Sequence, residues 1–117
     1  MIKNKTGVWG EIYAARYLRD NGYEILDANY VCRFGELDLV AEKNGVVCIV
    51  EVKTRNQKTD IRPMEAVDEG KRNRLEMAAK SFLSNTKIKA QIRFDVCEVF
   101  VDDNNGLVRI NYIENAF

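Results

Sequence analysis

Asp38, Glu51 and Lys53 are the residues of this chain whose types and spacing could do chemistry. Val46-Val47-Cys48-Ile49-Val50 is an apolar, β-branched run that reads as a strand entering a core, and it ends on Glu51-Val52-Lys53. Charges at the end of such a run are costly to bury unless they are paired or hold a metal ion. Residues two apart in an extended chain share a face, so Glu51 and Lys53 point the same way. Gly35-Glu36-Leu37-Asp38-Leu39-Val40 reads as a second strand, with Glu36 and Asp38 on one face and Leu37 and Leu39 on the other. Two carboxylates held close to a lysine are what hydrolysis of a phosphodiester with a divalent metal needs.

The turn between the two runs sets their register. Asn44-Gly45 is the strongest short hairpin signal, because both residues tolerate positive φ. With these two as the loop, Lys43 pairs with Val46. Counting outward, Asp38 falls opposite Glu51 and Glu36 opposite Lys53. Directly opposed Cβ atoms lie about 4.5–5.5 Å apart, where like charges repel. Such a pair wants a cation between its members. A slip of one residue would move Glu51 to the other face. A solvated hairpin face with incidental charges is the plainer alternative, but Cys48, Val50 and Val52 leave little room for it.

Composition excludes several chemistries. The chain has 117 residues, 46% of them hydrophobic, enough for one domain spanning 1–117 with a real core. It contains no histidine, which rules out Ser-His-Asp triads, HExxH zinc sites and histidine-base nucleases. Cys32, Cys48 and Cys97 are odd in number and lack CxxC spacing, so reduced core residues of a cytoplasmic protein are expected. The first residues lead into a charged helix rather than an apolar signal core. No run approaches the roughly 20 apolar residues of a membrane span, so no membrane partner is expected.

Net charge is zero, but its distribution is uneven. From Lys53 to Arg93 there are eleven Lys/Arg against five acids, which leaves the remainder equally acidic. A basic half beside a carboxylate cluster suits a phosphodiester substrate, with Lys/Arg such as Arg55, Lys71 and Arg72 holding the nucleic-acid backbone. An ordinary solvated helix with flanking charges is the competing explanation.

These residues must be positioned by a small set of elements. Thr6 can cap a helix running to about Asn21, stopped by Gly22. Strands are expected over about 23–30, 35–42 and 46–54, then a polar loop over 56–63. A second helix over about 64–85 buries Leu75, Ala78, Ala79 and Phe82. Strands over 92–101 and 107–113 follow, separated by the turn Asp102-Asp103-Asn104-Asn105-Gly106. This order predicts an α/β fold with one mixed five-stranded sheet flanked by helices. On a helical wheel Glu11 falls among Val8, Ala14, Ala15 and Leu18, where it either pairs at the core edge or lies behind the metal site, orienting Lys53 or a water. Lys71 shares the Leu75–Phe82 stripe and could reach a phosphate or close a salt bridge. Asp95 is expected to be a structural partner of a nearby arginine.

The ordered set Gly35-Glu36-Leu37-Asp38-Leu39-Val40, then Val50-Glu51-Val52-Lys53-Thr54-Arg55, resembles the bacterial YraN family of small restriction-endonuclease-like proteins, relatives of archaeal Holliday junction resolvases. The resemblance covers nearly the whole chain. Gly7, Glu11, Ala14 and Leu18 match its opening helix; Gly22-Tyr23, Asn29, Ala66-Val67 and Lys71 match later positions; Arg93-Phe94-Asp95-Val96 matches its closing strand. It implies a three-layer α-β-α core of restriction-endonuclease type. It further implies Asp38 and Glu51 as metal ligands, Lys53 as the catalytic lysine, and Glu11 as the helix acid of the resolvase branch.

The expected activity is a Mg²⁺- or Mn²⁺-dependent nuclease acting on structured or branched DNA. Mg²⁺ prefers oxygen ligands and keeps several waters, so two carboxylates and the Val52 carbonyl suffice. Lys53 would position or deprotonate the attacking water, or stabilise the pentacoordinate phosphate. A homodimer is expected by analogy alone. Two other readings keep the same sequence features: a non-catalytic nucleic-acid-binding module, and a protein-interaction domain with structural charges.

Overall fold

A computed structural model describes residues 5–58 and 68–117. The element order is α1 (Lys5–Asp20), β1 (Glu24–Cys32), β2 (Gly35–Lys43), β3 (Val46–Asn56), α2 (Glu69–Thr86), β4 (Gln91–Val101) and β5 (Leu107–Ile113). The strands form one sheet in the order β1-β2-β3-β4-β5, and only the β3–β4 pair is parallel. A three-stranded antiparallel meander, β1-β2-β3, is thus joined to the β4-β5 hairpin through a crossover that carries α2, as a parallel pair requires. The helices cover opposite faces, giving the three-layer α-β-α architecture of the restriction-endonuclease-like type.

Two cores follow from the alternation of side chains. Cys48 and Val50 of β3 pack with Ala14 and Leu18 of α1. Val47 and Ile49 pack on the other side with Leu75, Ala78, Ala79 and Phe82 of α2. A strand covered on both faces has no solvent side to keep polar, which is why its sequence is an unbroken apolar run. Cys48 and Cys97 are fully buried, with burial pushing their thiols up to about 11 and about 12, and none of the three cysteines is in a disulfide.

Local signals stop the elements where expected. The α1 C-terminus is closed by Gly22 at φ +85°, with Tyr23 N–H donating to the Leu18 carbonyl and Gly22 N–H to the Arg19 carbonyl. That pair of bonds uses carbonyls the helix would otherwise leave unpaired. Asn44 and Gly45 both adopt positive φ, as a two-residue hairpin turn demands. Asp68 caps α2, its side chain accepting from Lys71 N–H, and the helix runs from Glu69. The expected helical start at Met64, and the loop residues 59–63, lie outside the described residues. Thr6 is not a cap, since α1 already includes Lys5; its hydroxyl instead donates to Asn105 of the β4–β5 turn. Val8, placed with the core residues on the wheel, is 44% exposed.

The β2–β3 register is the expected one from Lys43↔Val46 through Leu39↔Val50, and there the ladder ends. Asp38 does not pair backbone-to-backbone with Glu51, nor Glu36 with Lys53. Instead the Asp38 carboxylate accepts from the Val52 N–H at 2.9 Å, replacing a ladder bond with a side-chain bond. β2 stays paired with β1 beyond this point, through Leu37, Glu36 and Gly35. Leu37 packs in the α2 core and Leu39 in the α1 core, so they do not share a face as strict alternation predicts. The strand rotates as it leaves β3, and the carboxylates sit where the two strands part.

Candidate functional site

The parting of β2 and β3 lets residues from three elements meet. Glu11 comes from α1, Glu36 and Asp38 from β2, and each offers a carboxylate oxygen within 4.8 Å of the other two. All three side chains are half-buried. Gly10 sets the depth of α1 here: a Cβ on it would overlap Thr54 Oγ1 of β3, so only glycine allows this approach. The helix backbone therefore sits against β3, one residue before Glu11.

Glu51, Lys53 and Lys71 form the other half of the site. Glu51 is 7% exposed, and its carboxylate receives the Lys71 Nζ of α2 at 3.4 Å. Burial pushes the Glu51 carboxyl above the ordinary glutamate range; the Asp38 charge adds to this, and Lys71 and Lys53 oppose it. The Lys53 ammonium is held below the usual lysine value, first by burial and then by Lys71 beside it. These shifts have one physical origin. Two carboxylates and two ammonium groups share a partly dry space at the end of the sheet, where burial disfavours the charged forms of Glu51 and Lys53. Asp38 joins the two halves, and with Glu51 and Lys71 it lines a cleft of about 300 Å³.

The donor set suits a hard divalent cation. Carboxylate oxygens are the ligands Mg²⁺ and Mn²⁺ take, and the described residues of the site offer no thiolate or imidazole that would favour a softer metal. The grouping with ligand spacing is Glu11, Glu36 and Asp38, with Glu51 adjacent through Asp38.

Of the residues expected from sequence, Asp38, Glu51, Lys53, Glu11 and Lys71 come together here. Val52 is tied to Asp38 through its N–H. Lys71 faces a carboxylate rather than open solvent. Arg55 is a correction: it is buried, with Nε 3.0 Å from Glu98 on β4, and this pair removes it from any nucleic-acid surface. Arg72 is exposed on α2 with Glu69, Asn73 and Glu76 around it, away from the cleft. Asp95 is structural, as expected, and binds Arg93 at 2.8 Å. Glu36 was missed as a candidate ligand. The signal existed in its two-residue spacing from Asp38, but the assumed pairing with Lys53 concealed it. Arg74 and Phe34, which also line the cleft, carried no signal in sequence.

Comparison with known proteins gives one consistent result. A protein of Syntrophomonas wolfei is 44% identical over 99% of this chain and all of its own length. One from Caldicellulosiruptor saccharolyticus is 39% identical over the whole of both chains, and one from Moorella thermoacetica 37% identical over all of this chain and 98% of its own. Each carries the description "UPF0102 protein", and the profile of "Uncharacterised protein family UPF0102" matches residues 10–99, from the glycine against Thr54 to Val99 in β4. The chain belongs to the UPF0102 family, which is the YraN family of the sequence resemblance.

Proposed function

We propose that the protein is a metal-dependent nuclease that hydrolyses phosphodiester bonds in structured or branched DNA, in the service of repair or recombination. The observation that supports this reading most is the convergence of Glu11, Glu36 and Asp38 within 4.8 Å at the point where β2 leaves β3, beside Glu51 and Lys53. Bound there, Mg²⁺ or Mn²⁺ would acidify water and neutralise charge developing on the phosphate. Asp38 and Glu51 remain the central ligands of the proposal, with Glu36 and Glu11 completing the oxygen set and the Val52 carbonyl as a further candidate.

Lys53 supplies the remaining chemistry. Burial holds its ammonium below the usual lysine value, which favours a proton-acceptor role, while its charged form would hold a phosphoryl oxygen. Lys71 balances Glu51 and, with a cation held by the carboxylates, would be available to the substrate phosphate. Arg72 and the other exposed basic residues of α2 would follow backbone geometry rather than base edges, so specificity for DNA shape over sequence is expected. A cytoplasmic setting and a homodimer matched to a two-fold substrate belong to the same proposal.

The competing reading is a nucleic-acid-binding module without turnover. What favours it is the Lys71–Glu51 contact, which gives Glu51 a cation of the protein's own. Purified protein with Mg²⁺ or Mn²⁺, incubated with linear, flap and four-way DNA, separates the two. The nuclease reading predicts cleavage that EDTA stops and that Lys53→Ala lowers by roughly 10²–10⁴-fold, the usual contribution of a positioned acid–base group. DNA binding should survive in that variant. Binding without cleavage on every DNA and RNA form, unaltered by Lys53→Ala, would give the binding module the better claim.

A further inference from the structure

The cleft at Asp38 and Glu51 has a second, apolar side that hydrolysis of a phosphate does not use. Leu75 and Ala78 of α2 line it, and so does Phe34, from the two-residue tip joining β1 to β2. Phe34 is half-buried and rests on the α2 core. The Arg33 guanidinium lies over its ring, 4.7 Å from the centroid. Arg74, exposed on α2, lines the same cleft. At about 300 Å³ the space is at the low end of small-molecule pockets, with room for one nucleoside-sized group.

Metal and lysine are sufficient for a phosphate, which offers only charge and oxygen. An aromatic ring backed by a guanidinium, with aliphatic side chains beside it, is instead the surface on which a nucleobase stacks. A base inside a duplex cannot enter such a cleft, because its faces are already stacked and its edge already paired. An unpaired or extruded base can. The carboxylates on the opposite side of the same cleft would then sit next to that nucleotide's own phosphate.

We propose that this side of the cleft takes one unpaired nucleobase of the DNA strand being cut, with Phe34 as its stacking surface and Arg74 on the neighbouring phosphate. This rests on the nuclease reading and narrows it, from structured DNA in general to DNA with an unpaired nucleotide beside the scissile bond. Flaps and junction branch points provide one; intact duplex does not.

The test uses 2-aminopurine, a base whose fluorescence is quenched by stacking, placed at the unpaired nucleotide of a flap or, as control, inside the duplex. The full chain is titrated onto each DNA with Ca²⁺, and cleavage is measured separately with Mg²⁺. Binding should quench the unpaired probe and leave the duplex probe unchanged. Phe34→Leu, which keeps apolar volume, should lose most of that quench and cut the flap roughly five- to a hundred-fold more slowly, the range for one lost stacking contact. Phe34→Tyr, which keeps a ring, should retain both. Equal quenching in Phe34→Leu and wild type, or loss of it in Phe34→Tyr as in Phe34→Leu, would reduce Phe34 to packing and overturn the inference. DNA cleavage with no quench at the unpaired base would overturn the base pocket alone. Failure to bind or cut any DNA would overturn the nuclease reading with it.

Discussion

Asp95 and Glu51 are both buried carboxylates on adjacent central strands, and their surroundings are opposite. Asp95 is wholly buried and surrounded by donors: Arg93 reaches both oxygens, the Tyr112 hydroxyl donates at 2.6 Å and the Asn115 N–H at 3.0 Å. Arg93 also donates to the Tyr23 hydroxyl, so the cluster ties the α1–β1 junction and the segment after β5 to β4. Hydrogen bonding to Asp95 pushes the Arg93 guanidinium above its ordinary range. Glu51 has one cation at 3.4 Å, a carboxylate neighbour in Asp38, and a carboxyl that burial has pushed up. One carboxylate is satisfied and holds the fold together. The other is desolvated beside a second carboxylate, and a divalent cation there would offset both charges.

Breaking the satisfied end should cost most. Asp95→Ala takes the nearest carboxylate from Arg93, leaving it Glu114 at 3.7 Å and the Tyr23 hydroxyl, and removes the acceptor of the Tyr112 hydroxyl and the Asn115 N–H. Loss of one member of a buried pair costs on the order of 3–5 kcal/mol. Urea denaturation should show that loss. Divalent-ion binding should be unaffected under conditions where the variant remains folded, since the cluster shares no residue with the cleft.

Gly10→Ala probes the link between helix position and site. The new Cβ would meet Thr54 Oγ1, and α1 must move off β3 to make room. Overpacking of this kind costs about 1–3 kcal/mol. Here it should also weaken divalent-ion binding, because Glu11 moves with the helix. Pairing Gly10→Ala with Thr54→Ala removes the nearest atom but keeps the Thr54 Cβ, and should restore part of both losses.

The crowded end should respond in the opposite sense and more weakly. Glu51 is raised in the folded state relative to its ordinary value of 4.5, so its stabilising contribution is present below that pH and is lost as pH rises through the folded value. Ionised Glu51 therefore destabilises the metal-free protein at neutral pH. Glu51→Gln should melt a few degrees higher than wild type at pH 7, and the gap should close as pH falls towards 4.5. A melting temperature lower than wild type at pH 7 would mean that the Lys71 contact outweighs the burial cost.

Much of the fold was legible because its signals are local. Asn44 and Gly45 need positive φ, the β3 run is apolar on both faces, and the α1 stop uses Gly22; each can be read without knowing the rest of the chain. What could not be read depends on distant partners. Arg55 looks like a surface cation in a basic segment, but its partner Glu98 lies 43 residues away and in register beside Lys53 on β4. The hairpin count placed Asp38 opposite Glu51 by extending an ideal ladder. The ladder stops one pair earlier, where the Asp38 side chain takes the Val52 N–H and β2 turns away. That departure brings Glu36 to Glu11 and Asp38, a grouping no pairwise count along two strands contains. The place where the regular pattern fails is the place with the chemistry, as expected of a site that trades local consistency for function.

The central claim is that the carboxylates at the β2–β3 parting form a cation site, with Asp38 at its centre. The direct measurement is calorimetric titration of Mg²⁺ and Mn²⁺ into wild type and Asp38→Asn, with the metal-free melting temperature of each recorded alongside. Asparagine keeps an oxygen for the Val52 N–H and removes the charge, so metal-free stability should be unchanged or raised while ion binding disappears. An Asp38→Asn protein that binds either ion with wild-type affinity would contradict the account.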